Sequence, residues 1–547
     1  MNLDISASKM YTKRLRGWLS YAFGSEVFVI VSLTLFLPIC LEQFARDNGF
    51  LLPDRTERCT APTLGSETPA ESTGRCVVKI GWFWIDTASF SLYVYSASVA
   101  LQALTVISMG GIADHPPHRK LLLVSFGLCG ALAATVFLIL PSSSPVWFVS
   151  ALLACVANVG FGASVVAMNS YLPSLAKDSP EVVEILLEIQ ESTDESDDIP
   201  ERVSENIEAP LIARTVSEER VNQQARYDTA LSRATSRISS LGIATGYGAG
   251  ICLLIVALIP VTKLHGSTLS LRLAIGLSGI WWAVFTLPAA LWLPGGHAAV
   301  DENPSWPETS DGKWSTRREI VAAWRRLGGM LHPREIKRLR NTFKYLTAWF
   351  LLSDGFTTIT STAVLFGKTS LHMQPSSLIL IGILTPLAGI LGSLLWPILQ
   401  RRVGWSNLRV IIILVMLASV IPAYGCLGFL SIFQGGLRFG GLTTPGEMFG
   451  LAVYFGFIFG AFQSYARAFY AELLPPGEEA RWYGLYSITD KSSSFLGPLI
   501  VGLISDVTGN IRYAFFFLIF MIWAAVPVLM SVDVERGRKE AREYVYN

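Results

Sequence analysis

Charge is scarce in this sequence. Of its 547 residues only 16% are Asp, Glu, Lys or Arg, against roughly 25% in an ordinary soluble domain. Lys and Arg total 43 and Asp and Glu 42, so no excess of one sign draws the chain to nucleic acid. The six histidines (His115, His118, His265, His297, His332 and His372) fall in loops or at segment edges, which excludes an intramembrane metal site built on them. Seven cysteines are too few for a disulfide scaffold. A complete phosphate loop is missing as well. Gly367-Lys368-Thr369 ends like one, but Thr362 stands where the leading Gly is required, so neither an ATP motor nor any other cofactor is implied. No cleavable signal precedes the first apolar run. Lys13-Arg14-Leu15-Arg16 leads straight into it, which makes that run its own anchor.

Apolar length is abundant. Hydrophobic residues make up 51% of the chain, and mean hydropathy is +0.45. Runs of about 20 residues recur, enough to cross a ~30 Å hydrocarbon core. A soluble enzyme, a disordered chain and an outer-membrane barrel with ~10-residue alternating segments are all excluded. The expected fold is all-α and polytopic, with twelve spans embedded in the lipid bilayer. They are placed at 17–41, 87–110, 121–140, 146–170, 239–261, 270–293, 343–366, 377–399, 408–430, 447–471, 482–505 and 511–530. Short connections on one side carry fourteen Lys and Arg, from Lys9 to Arg542, and those on the other carry four. The positive-inside rule then makes both termini cytosolic. The expected organisation is a cytosolic N-terminus (1–16), a six-helix bundle (17–293), a basic cytosolic linker (294–342), a second six-helix bundle (343–530) and a cytosolic tail (531–547). The first bundle includes a lumenal loop at 42–86 and an acidic cytosolic loop at 174–238.

The two bundles echo each other. Ser25-Glu26-Val27-Phe28 in span 1 matches Ser353-Asp354-Gly355-Phe356 in span 7. Phe161-Gly162-Ala163 in span 4 matches Phe459-Gly460-Ala461 in span 10. Arg237…Ser239-Ser240-Leu241-Gly242 in span 5 matches Lys491…Ser493-Ser494-Phe495-Leu496-Gly497 in span 11. Three echoes in one order point to two parallel six-helix repeats, the arrangement of the major facilitator superfamily. After span 2, Gly110-Gly111-Ile112-Ala113-Asp114-His115-Pro116-Pro117-His118-Arg119-Lys120 resembles that superfamily's Gly-x-x-x-Asp-Arg-x-Gly-Arg-Arg loop. The resemblance implies that Asp114, Arg119 and Lys120 brace a cytosolic gate against span 11. His115, Pro117 and His118 depart from the pattern, and the plainer alternative is a tight turn with positive-inside charges.

The few intramembrane polar residues are the candidate sites. Glu26 lies ~14 Å into span 1 and Asp354 ~17 Å into span 7. A charge at that depth costs about 2.5–3.5 kcal/mol on insertion scales. Both are candidates to bind substrate or to carry a proton, and the alternative is a structural anchor in each case. Asp490-Lys491 lies a third of the way into span 11. There Lys491 can meet a carboxylate of span 1 or 7, bind a substrate carboxylate, or snorkel to the surface. Arg467, near the end of span 10, reads as a snorkelling residue. Asn158, Tyr247, Gln102 and Gln463 either line a cavity or bond helix to helix. Phe28, Phe356 and Trp349 are candidates to meet an apolar substrate side chain. The glycine run Gly242…Gly246…Gly250 permits close helix approach, and Gly497-Pro498 reads as a kink. Cys59 and Cys76 share the loop at 42–86 and are candidates to pair if it faces an oxidising compartment.

The polar segments are sharply biased. Residues 178–208 hold twelve acids and one base, and 313–340 hold nine bases against Glu319 and Glu335. The first is expected to form an acidic helix around 181–191 and disorder beyond it. The second is expected to lie along the membrane surface as an amphipathic helix. A latch between the two is one further expectation.

Span 1 carries a closer resemblance. Arg16-Gly17-Trp18, Tyr21-Ala22-Phe23, Ser25-Glu26-Val27-Phe28 and Phe44-Ala45-Arg46-Asp47-Asn48-Gly49 resemble the fungal vacuolar amino-acid effluxers linked to autophagy. So do Arg237…Ser239-Ser240…Gly242…Gly246-Tyr247, Asp490-Lys491…Gly497-Pro498 and the acidic loop. The resemblance runs over nearly the whole chain. It implies a vacuolar-membrane transporter that returns neutral amino acids, leucine above all, to the cytosol, and no enzyme. An ammonium would meet Glu26 or Asp354 and a carboxylate Lys491, with protons as the driving ion. The residues alone leave open a transporter of another small solute and a non-transporting sensor or scaffold.

Overall fold

The computed structural model describes residues 2–59, 75–113, 116–197, 209–264, 266–295, 315–430, 432, 440–475 and 479–544. Among them eleven helices are long and apolar enough to cross a membrane. They correspond to spans 1–10 and 12. The remaining expected span, span 11, is present as two helices, Glu479–Ser493 and Leu496–Thr508. Its interruption has a local cause: Pro498 has no N–H to give the Ser494 carbonyl, and its ring crowds that carbonyl. Span 1 is also irregular. It runs from Asn2–Val27 through a π-helical stretch, Phe28–Phe36, into Leu37–Asp47. Pro38 denies Thr34 its α-helical donor, and wider turns accommodate the loss.

The repeat is realised in the packing. In the first half span 1 packs on spans 5 and 6, and span 4 on spans 2 and 3, with span 3 also on span 6. Six spans later span 7 packs on 11 and 12, and span 10 on 8 and 9, with span 9 also on 12. Even the echoed phenylalanines meet. Phe28 lies 6.2 Å from Phe161, and Phe356 5.3 Å from Phe459.

The ends of span 6, the start of span 7 and both termini share one face. Gly17 sits against Trp292 and Leu293, and Gly537 against Leu473 and Asn341. The opposite face carries a sheet that the sequence did not announce. Its strands β1 (Phe50–Leu51), β2 (Cys76–Ile80) and β3 (Phe83–Asp86) are antiparallel in the order β1-β2-β3. Cys59 and Cys76 are joined by a disulfide, which ties the incoming loop to β2.

Two expectations for the polar segments change. A polar loop was expected over 174–238, with span 5 starting at 239, yet Ala209–Lys263 is one helix of 55 residues. No Gly or Pro interrupts it between Pro210 and Gly242, so nothing stops span 5 from extending well past the bilayer. The acidic helix Pro180–Asp197 is present, but its resolved partners are not in the basic linker. Glu181 pairs with Arg237 at 2.5 Å, Glu188 with Arg226 at 3.2 Å, and the nearby Asp178 with Arg14 at 3.1 Å. The acidic helix folds back on the extension of span 5 because that extension lies beside it as a helical rod. Residues 198–208 lie outside the described residues. The basic helix Thr316–Met330 instead packs on span 2, where Trp324 Nε1 donates to Ser108 Oγ at 3.2 Å.

Candidate functional site

Span 1 lies on a flat strip of span 5 made by Gly242, Gly246 and Gly250. A Cβ on Gly242 would stand 2.6 Å from the Trp18 ring, on Gly246 2.5 Å from Glu26 Cγ, and on Gly250 2.5 Å from Ile30 Cδ1. Trp18, Ala22, Glu26 and Ile30 are spaced by four and share one face. The strip therefore fixes the stem of Glu26 against span 5. Among the described residues Glu26 carries no hydrogen bond or ion pair. Tyr247 of its own half and Lys491 of the other half are within electrostatic range. Tyr247 and Lys491 are each about 41% exposed, so polar groups of both halves face open space here. Arg467 is exposed on span 10, within range of Tyr247.

Asp490 and Lys491 do not aim at separate partners. Lys491 Nζ lies 3.5 Å from Asp490 Oδ2, and Asp490 Oδ1 accepts Ser353 Oγ–H at 2.5 Å. Asp354, by contrast, is buried, and its Oδ1 accepts the Gly497 N–H at 2.9 Å. It has the hydrogen-bond partner that Glu26 lacks among the described residues, although the sequence pairs the two.

Other candidates turn inward. Phe28 is 0% and Phe356 1% exposed, so neither is free to meet a substrate. Phe28 stacks on Trp282 at 5.2 Å and Phe356 on Phe462 at 4.3 Å. Trp349 is likewise sealed between Phe462 and Tyr486. Asn158 is fully buried and bonded at both ends of its amide: its Nδ2 donates to Ser98 Oγ at 2.8 Å, and its Oδ1 accepts from Gln102 Nε2 at 3.1 Å. It clamps span 4 to span 2. In each case a polar or aromatic residue in an apolar run found its partner within its own half.

At the expected gate, Asp114 and His115 lie outside the described residues. Arg119 Nε donates to the Ala113 carbonyl at 3.0 Å, and its guanidinium lies 5.8 Å over the Tyr171 ring. The Lys120 stem packs on Gly295. These contacts brace the ends of spans 2, 3, 4 and 6 to one another.

The halves are tied at mid-depth and on the sheet face. Ser96 Oγ of span 2 donates to the Phe495 carbonyl of span 11 at 2.6 Å. Arg75, next to the disulfide, donates to Asp86 Oδ2 at 3.0 Å and reaches the last carbonyls of span 11, Ser505 and Asp506. Asp506 Oδ1 accepts the Asp86 N–H at 2.8 Å. Lys368 of span 7 donates to Gln43 of span 1 at 3.3 Å. Close by, Glu42 is fully buried and pairs with Arg46 at 2.9 Å. These ties hold the two halves together on the sheet face. Sequence reading missed the whole cluster because its members are ordinary loop and helix-end charges until the chain folds.

The cluster predicts a measurable latch. Arg75→Ala removes the guanidinium that joins the halves, so the buried Cys40 at the sheet-face end of span 1 is expected to react several-fold faster with an impermeant thiol reagent from that face. The measurement uses a chain whose other free cysteines are replaced by serine. Burial pushes the Asp86 carboxyl above its ordinary value, with Arg75 opposing. Asp86 therefore takes up a proton in milder acid than an exposed aspartate and loses the charge that holds Arg75. Cys40 labelling is accordingly expected to rise as pH on that face falls, and Asp86→Asn to remove much of the rise.

Comparison with known proteins places this geometry. The family model described as "Vacuole effluxer Atg22 like" matches residues 10–542. Autophagy-related protein 22 of Cryptococcus neoformans var. neoformans serotype D (strain JEC21) is 41% identical, over 98% of this chain and 97% of that one. Autophagy-related protein 22-1 of Neosartorya fischeri is 40% identical, over 97% and 91%. Among solved structures, the POT family transporter PepTSo superposes with a TM-score of 0.55 at 13% identity, covering 96% of this chain and 99% of that one. The inward-open xylose transporter XylE from E. coli gives 0.53 at 9% identity, covering 96% of each. At such identities these structures establish the fold, which is that of the major facilitator transporters.

Proposed function

The chain belongs to the family of Atg22-like vacuole effluxers, and from that premise we propose that it exports neutral amino acids of the leucine type from the vacuole lumen to the cytosol. The face bearing the termini is then cytosolic and the sheet face lumenal. The membrane is that of the vacuole, in line with the names of the family and of its autophagy-related members. The observation that carries the reading is Glu26 of one half, without a hydrogen bond or ion pair among the described residues, within electrostatic range of Lys491 of the other half. A zwitterion fits such a pair: the ammonium is held by Glu26, the carboxylate by Lys491 with Arg467 nearby, and Tyr247 flanks the site. Alternating access moves it as the sheet-face ties break and the cytosolic side closes.

Protons are the proposed coupling ion. An acidic lumen loads Glu26 when the site faces it, and the near-neutral cytosol takes the proton away. Only differential binding to the two open states lets a proton drive the change. The test is a panel of labelled solutes (leucine, a sugar, a dipeptide and an organic anion) loaded into proteoliposomes with an acidic interior. Leucine is expected to leave fastest, and faster with the gradient than without it. Efflux of the sugar or the anion in its place would assign another substrate, and no flux for any solute would favour a scaffold. Fractionation of the cell tests the vacuolar assignment.

A further inference from the structure

The interruption of span 11 is held from three sides. Ser353 and Asp354, consecutive in span 7, take one segment each. Ser353 Oγ donates to Asp490 Oδ1 at 2.5 Å, before the break, and Asp354 Oδ1 accepts the Gly497 N–H at 2.9 Å, after it. Ser96 of the other half takes the Phe495 carbonyl in the break itself. Gly497 is required for this approach, since a Cβ there would overlap Thr358 Oγ1 and stand 2.8 Å from Asp354 Oδ1. Thr358 Oγ1 lies 3.4 Å from the same carboxylate oxygen and steadies it.

A helix that begins inside a bilayer has first-turn amides with no water to satisfy them. A carboxylate placed there accepts one and is favoured by the helix dipole. That is the position of Asp354 against Leu496–Thr508. Lys491 sits one residue after the Asp490 that Ser353 holds. Span 7 thus fixes both sides of the break, and with it the depth at which Lys491 faces Glu26.

We infer that Asp354 is a positioning residue, the cap of the broken span 11, and that Glu26 alone of this echoed pair carries the proton. The inference rests on the transport reading above and deepens it. A cap needs an acceptor atom and no exchangeable proton. Asparagine supplies that acceptor and alanine does not.

The experiment uses the full chain, with labelled leucine as probe in inside-acid proteoliposomes and thermal unfolding in detergent as a second readout. Asp354→Asn is expected to keep the unfolding midpoint, to keep efflux within about threefold, and to keep its response to the pH gradient. Asp354→Ala leaves a buried N–H unpaired, so the midpoint falls by several degrees and the maximal rate about tenfold. Loss of the gradient response in Asp354→Asn with an unchanged midpoint would make Asp354 a proton carrier and overturn the inference. So would an Asp354→Ala protein with wild-type midpoint and rate. If wild-type protein moves no leucine, the transport reading fails, while the two midpoints still decide the cap: asparagine like wild type and alanine lowered supports it, and equal midpoints refute it.

Discussion

Glu26→Gln is expected to uncouple efflux from the pH gradient and to slow it severely. Glutamine keeps the length and packing of the side chain over Gly246, so the fold is undisturbed. It loses the negative charge and the exchangeable proton together. A charge-assisted contact to an ammonium is worth roughly 2–3 kcal/mol, and its loss weakens binding by about 30-fold or more. The proton loss acts separately and removes the difference between efflux with and without an acidic interior. Concentration-dependent efflux at matched pH measures the first effect, and efflux against imposed gradients the second. An unchanged gradient response would remove Glu26 from the coupling mechanism.

Gly456→Ala is expected to have the largest effect on stability. Spans 8 and 10 touch backbone to backbone through Gly389, Gly392, Gly456 and Gly460. A Cβ on Gly456 would overlap the Thr385 carbonyl, and one on Gly392 the Phe457 carbonyl. Carbonyls within helices cannot swing aside as a side-chain end can, so the helices must separate. Helix association in lipid depends on such close packing, and overpacking of this kind costs about 1–3 kcal/mol or more. Gly450→Ala is the control on the same helix, because nothing lies within 4 Å of its added Cβ. The unfolding midpoint is expected to fall by roughly 1–3 °C for Gly456→Ala and to hold for Gly450→Ala. Equal midpoints would mean that the two helices separate at little cost.

The two experiments probe the two uses of glycine here. In the strip on span 5 glycine makes room for a functional side chain. Between spans 8 and 10 it makes room for a backbone. Both follow from the same missing Cβ, and only the neighbour tells them apart.

The sequence by itself determined the class, the span positions and the doubling. Hydrocarbon excludes unpaired backbone and charge so strongly that apolar runs of span length leave few alternatives to helices. The echoes at Glu26 and Asp354, and at Phe161 and Phe459, were legible for the same reason: polar and aromatic residues stand out against an apolar background. The family resemblance in span 1 was legible from its local motifs. What the echo could not say is that its two carboxylates differ. Glu26 has no hydrogen bond or ion pair among the described residues, while Asp354 is taken up by the Gly497 N–H of a helix 143 residues further on. Nor could it say that Phe28, Phe356 and Asn158 are sealed within their own halves, or that Arg75, Asp86 and Asp506 meet. Spacing along the chain fixes which face of a helix a residue occupies. Whether that face meets a partner, a backbone amide or open space is decided by how the two halves pack, and there the tertiary structure alone separates the site from its scaffold.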